Sequence, residues 1–181
     1  MSSAANEILS WTSKDPRQSQ LFSSWGIVYR FQTDTGSGGQ NVTSLWRAIR
    51  PTKEERVAKL EWAANGGLGR ATIGKTVVPM ADLVRQDPRA YGWRIFNGPD
   101  GYQYRWGPSP SNNGEFILQD PNGHIIARLQ SVTPTKYNVG DVYRELHYIR
   151  SAGAGVVMHP PLMDTVTVTA MLYQFVTAFG L

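Results

Sequence analysis

The sequence predicts a mainly β protein, with an antiparallel barrel, closed or nearly so, built around one buried C-terminal helix. Three observations carry this. Residues 163–181 are apolar on almost every side and hold no charge after Asp164. A segment of that kind belongs in a core or in a membrane. Two stretches, Asn97-Gly98-Pro99-Asp100-Gly101 and Asp120-Pro121-Asn122-Gly123, lie between runs of apolar and aromatic residues. Pro presets φ and Gly supplies positive φ, so both read as hairpin loops. Six Trp, eight Tyr and eighteen Gly among 181 residues suit short strands and tight turns. Closing such strands into a barrel removes exposed edges.

Taken in order, residues 1–20 are polar and aperiodic and are expected to form a flexible N-terminal arm. Residues 21–181 are expected to form a single domain. Alternation predicts strands at 24–33, 41–50 and 56–63; the Gly-rich turn 35–39 separates the first two, and Pro51 ends the second. Residues 71–78 read as a hairpin turning at Gly74-Lys75. Met80, Leu83 and Val84 fall at helical spacing, so a short helix is expected near 79–86, stopped by Asp87-Pro88. Strands 92–96 and 102–106 flank the first hairpin loop; strands 115–119 and 124–129 flank the second. Residues 136–149 add one or two strands, and 153–155 form a linker. Pro160 and Pro161 precede the final helix, expected at about 163–179 with Asp164 as its N-cap.

Composition bounds the function. A net charge of +4 and a pI near 9.5 are mildly basic and permit anionic partners. The absence of cysteine excludes disulfides, thiol catalysis and Cys-based zinc sites. The N-terminal stretch lacks a basic region followed by an apolar run, so no signal peptide is expected and the cytoplasm is the expected compartment. No transmembrane span is expected either: 163–181 is short for one, and Thr165, Thr167, Thr169 and Thr177 dilute it.

One motif match is literal. Gly69-Arg70-Ala71-Thr72-Ile73-Gly74-Lys75-Thr76 fits G-x-x-x-x-G-K-[ST]. In a phosphate-binding loop, Gly69 and Gly74 would free the backbone to cradle phosphate, Lys75 would reach the β/γ oxygens, and Thr76 would hold Mg²⁺. The context opposes this: Ala63-Ala64-Asn65-Gly66-Gly67 precedes it instead of an apolar strand, and Pro79 follows instead of a long helix. A chance match in a hairpin is expected, with nucleotide binding as the alternative. His124, His147 and His159 sit on separate elements without metal-ligand spacing, so no metal site is expected. No carboxylate pair and no G-x-S-x-G elbow marks a catalytic centre, and the chain reads as non-enzymatic, with no cofactor.

The pattern also resembles a fungal domain family of unknown function within the tubby C-terminal, LURP-one and phospholipid-scramblase-like superfold. The residues that carry the resemblance are Leu60-Glu61-Trp62, Gly74-Lys75, the run Val78-Pro79-Met80-Ala81-Asp82-Leu83-Val84, Arg94-Ile95-Phe96 and Gly98-Pro99-Asp100-Gly101. Tyr102-Gln103-Tyr104-Arg105-Trp106, Leu118-Gln119-Asp120, Ile126-Ala127-Arg128 and the run 163–170 complete it. The resemblance implies about twelve strands around the helix. It also implies a lipid-associated module, because tubby-type relatives bind phosphoinositides through basic surface residues.

The ligand-binding candidates are therefore the basic and aromatic residues Arg85, Arg89, Arg94, Arg105, Trp93 and Tyr104. Arg94 and Arg105 are expected on one outer face, where their forks can hold phosphate. The expected partner is an anionic membrane lipid or a protein. A lipid-associated, membrane-tethered protein is a further alternative, and nucleic acid is not favoured.

Overall fold

The computed structural model describes residues 7–138 and 140–181. The first half of the chain forms strands β1 (Glu7–Thr12), β2 (Ser19–Ser23), β3 (Gly26–Thr35), β4 (Asn41–Arg50), β5 (Lys53–Glu61), β6 (Arg70–Ile73) and β7 (Thr76–Pro79). The second half forms β8 (Arg85–Gln86), β9 (Arg94–Asn97), β10 (Gln103–Pro108), β11 (Glu115–Gln119), β12 (Ile125–Tyr137) and β13 (Gly140–Tyr148). Helix α1 (Pro160–Phe179) ends the fold. All strands belong to one antiparallel sheet of 13 strands, in the order β7-β6-β5-β4-β3-β2-β1-β13-β12-β11-β10-β9-β8. Two meanders are thus joined where β1 pairs with β13, with Leu9 opposite Leu146.

The sheet curls around α1. Buried side chains from both meanders reach the helix: Tyr29 bonds Asp164, Trp106 Nε1 donates to Thr169 at 2.9 Å, and the Tyr148 and Thr167 hydroxyls meet at 2.6 Å. Trp62 packs on Phe175, ring centres 4.6 Å apart. The helix is long and apolar enough to cross a membrane, but 83% of its apolar window is buried inside the protein. The burial of residues on every side of the helix, from Asp164 to Val176, fits its all-round apolar sequence.

Four expectations change. The barrel is not closed by hydrogen bonds: β7 and β8 end the ladder, and the 3-10 turn Met80–Leu83 links them. The short helix expected near 79–86 is reduced to this 3-10 turn, because Pro79 precedes it and Arg85 and Gln86 return to the sheet beside β9. The loose arm expected over 1–20 is, from Glu7 on, structured: Leu9 and Trp11 are buried, and Trp11 Nε1 donates to Ser19 at 2.8 Å. The part of that arm before Glu7 lies outside the described residues. Asp164 is not an N-cap. Pro160 and Pro161 start the helix after His159, their missing N–H groups fitting the first turn, and Asp164 points into the core.

Candidate functional site

The most organised cluster of charged groups lies on β8, β9 and β10 and the loop between β8 and β9. Its centre is Asp87, whose side chain has no exposure. The Asp87 carboxylate accepts the Arg89 backbone N–H at 2.9 Å, Arg89 Nε at 3.0 Å and Nη2 at 3.2 Å. It also accepts Arg105 Nη1 at 3.2 Å. The hydrogen bonds from Arg89, with help from Arg105, hold its pKa down to about 2. Asp87 is therefore ionised at neutral pH and fixes both guanidiniums in place.

Arg105 is held on three sides. Its Nε donates to Gln119 Oε1 at 2.9 Å, and its guanidinium carbon lies 4.3 Å from the centre of the Trp93 ring. Trp93 in turn lies flat over Gly107, where any Cβ would run into the indole. A missing side chain at 107 thus seats the ring that seats the arginine. Register puts Arg85 opposite Ile95, Ile95 opposite Arg105, and Arg105 opposite Gln119. Opposed residues share a face, so Arg85, Ile95 and Arg105 form one outward row. Arg89 and Arg105 line a cleft of about 500 Å³ with Gln103, Tyr104, Gln119 and the carboxylate-bearing Asp120. Each guanidinium keeps N–H groups not used on Asp87.

The other candidates fall elsewhere. Arg94 does not share a face with Arg105. It lies opposite Trp106, on the inner side of the sheet. Its Nη1 donates to the Val84 carbonyl at 3.0 Å, and its Nη2 donates to the Leu181 carbonyl. It clips the end of α1 to the sheet. Tyr104 is not a stacking platform for ligand: it is 4% exposed, stacks on Phe96, and gives its hydroxyl to Asp100. Burial pushes that phenol's pKa well up. Gly69, Gly74, Lys75 and Thr76 form the β6–β7 hairpin, with Gly74 at φ 60° in the two-residue turn. No helix begins there, so the backbone donors and dipole of a phosphate-binding loop are missing from this segment. Among the described residues, no group of three or more His, Asp or Glu side chains is placed to hold a metal ion.

Sequence reading missed Asp87 as the organiser, although a signal was present. Asp-Pro-Arg occurs twice. In Asp15-Pro16-Arg17 the carboxylate takes the same three bonds, at 3.0, 3.1 and 3.2 Å. Proline fixes φ between the two residues and turns the arginine back on the aspartate. In both clamps a guanidinium held by the aspartate meets an aromatic ring: Arg17 lies 5.0 Å from Phe175, and Arg105 lies over Trp93.

Fold and cleft together define a mainly β protein whose sheet holds its own C-terminal helix and carries a carboxylate-organised arginine pair outside. The chain belongs to DUF6593, a family of unknown function, whose pattern matches residues 14–174. No curated protein and no solved structure matches it.

Proposed function

We propose that this protein is a non-enzymatic binding domain that takes a phosphate-bearing ligand, the headgroup of an anionic phospholipid, at the Arg89–Arg105 cleft. One observation carries the reading: a buried aspartate holds two arginines at the wall of a 500 Å³ cleft. Pre-oriented guanidiniums match phosphate geometry and lose little freedom on binding. Arg85, two strands away in the same outward row, adds positive charge to the approach. A single antiparallel sheet around a C-terminal helix also supports kinship with the tubby-like superfold, with the β7–β8 gap as the unsealed seam of its barrel. On this reading the protein works in the cytoplasm, peripherally on a membrane.

Co-sedimentation with phosphatidylcholine vesicles, with and without phosphoinositide, tests it. The wild type is expected to pellet only with the phosphoinositide vesicles, and less as salt rises. Arg89→Gln with Arg105→Gln should weaken pelleting at least about tenfold, the loss of one or two charge-assisted bonds. Equal pelleting with neutral vesicles, or an unaffected double variant, overturns the proposal.

A further inference from the structure

A second cavity lies where the hydrogen-bonded ladder stops. The β6–β7 hairpin forms one side and the turn between β9 and β10 the other, with the first turns of α1 beneath. Its volume is about 210 Å³, and Ile73, Val78, Leu83 and Pro99 make its walls apolar. One charged side chain lines it, Asp164. That residue is 7% exposed and is the only charged residue of α1. Its Oδ1 accepts the Tyr29 hydroxyl at 2.6 Å and Arg47 Nη1 at 3.0 Å, whereas its Oδ2 accepts only Arg47 Nη1, at 2.9 Å. A carboxylate oxygen has room for two donors, so Oδ2 keeps an open acceptor position. Arg47 also donates to Glu55 at 2.6 Å, so the cluster of two carboxylates and one guanidinium carries a net negative charge.

An apolar-walled cavity with a few polar side chains, here Thr76, Asn97 and Thr165 beside the charged Asp164, is the ordinary form of a small-molecule site. We propose that this cavity is a second binding site, for a compact organic cation, with its apolar body between Val78, Leu83 and Pro99 and a primary ammonium donating to Asp164 Oδ2. The sign follows from the cluster: an ammonium completes the charge balance, a carboxylate opposes it, and an alcohol gains the hydrogen bond without the charge. The seam makes entry simple, because β7 and β8 share no hydrogen bonds that must break. The site is independent of the arginine cleft, which lies on the outer face of β10.

Benzylammonium, benzyl alcohol and benzoate are probes of one shape and three charges. Melting temperature and amide chemical shifts are read with each. Benzylammonium at ten times its Kd should raise the midpoint by about 3 °C, the linkage expected for a chain of this size. It should shift the amides of Gly74, Gly98 and Thr165. Benzyl alcohol should bind at least about tenfold more weakly, and benzoate should leave the spectrum unchanged. Val78→Phe fills the cavity and should abolish the response; if that variant does not fold, Thr76→Leu at the rim serves the same end. No shift with benzylammonium, equal binding of benzoate, or a response that persists in the folded cavity-filling variant would overturn the proposal.

Discussion

Asp164 of α1 accepts the Tyr29 hydroxyl of β3 at 2.6 Å, across 135 residues of chain. Together with Arg47 of β4 it gives the helix its one charged anchor in the sheet. An apolar helix slides or rotates at little cost, whereas a single carboxylate with two fixed donors has one satisfactory position. Asp164→Ala should cost about 2–3 kcal/mol, less than a fully buried pair because Arg47 keeps Glu55 and some solvent. Tyr29→Phe should cost about 1.5 kcal/mol, for one hydrogen bond to a charged acceptor. Urea denaturation measures both. An unchanged midpoint for Asp164→Ala would show that the anchor adds nothing.

Two carboxylates should shape the pH dependence in opposite senses. Asp87 is held near 2 by the bonds from Arg89. Its unfolded value is near 3.9, so the stability it adds is complete above that pH and is lost as pH falls toward 2. Burial raises Asp164 above 3.8, against the pull of Tyr29 and Arg47. There the folded state binds the proton more tightly, so this group lowers stability as pH rises from about 3.9 through the raised value. Asp87→Asn should flatten the acid limb of the stability profile, and Asp164→Asn should remove the opposing decline. Denaturant midpoints from pH 2 to 7 would reveal both.

The helix threonines look like dilution in the sequence, but Thr169 serves as an acceptor. Trp106 Nε1 is buried, and its bond to Thr169 joins β10 to α1. Thr169→Val keeps the shape and removes the acceptor, so it should cost about 1–3 kcal/mol, the penalty of a buried unpaired donor. Thr177 lies on the exposed last turn, and Thr177→Val should stay within about 0.5 kcal/mol. Thermal unfolding of the two variants side by side separates a polar contact from helix propensity, since both carry the same substitution in one helix.

Local chemistry made much of this fold legible. Strand β4 at 41–50, the turn at Gly74-Lys75 and both proline-glycine hairpin loops follow from alternation and turn residues alone. Non-local pairing was not legible. Glu7 meets Tyr148 across most of the chain, and no short window of sequence records that partnership. The face of Arg94 was readable and misread. Phe96 is buried two residues on, so period-two alternation puts Arg94 inward, while Trp93 precedes the strand and is free to fold over Gly107. The arginine cleft was half legible: its side chains stood out, but the aspartate that orders them looked like a helix stop.

Gly107 ties that cleft to the sheet and offers the sharpest test of its design. A methyl at 107 would occupy the space of the Trp93 ring. Trp93 must then leave β10, and Arg105 loses the face on which it lies. Gly107→Ala should cost about 1–3 kcal/mol, as for other overpacked sites. It should also loosen Arg105 while leaving Asp87 and Arg89 paired. Phosphoinositide-vesicle binding should fall in Gly107→Ala almost as far as in Arg105→Gln, although no charge has been removed. Charge alone predicts undiminished binding, so full binding by a folded Gly107→Ala protein would show that the stacked position of Arg105 has no part in the site.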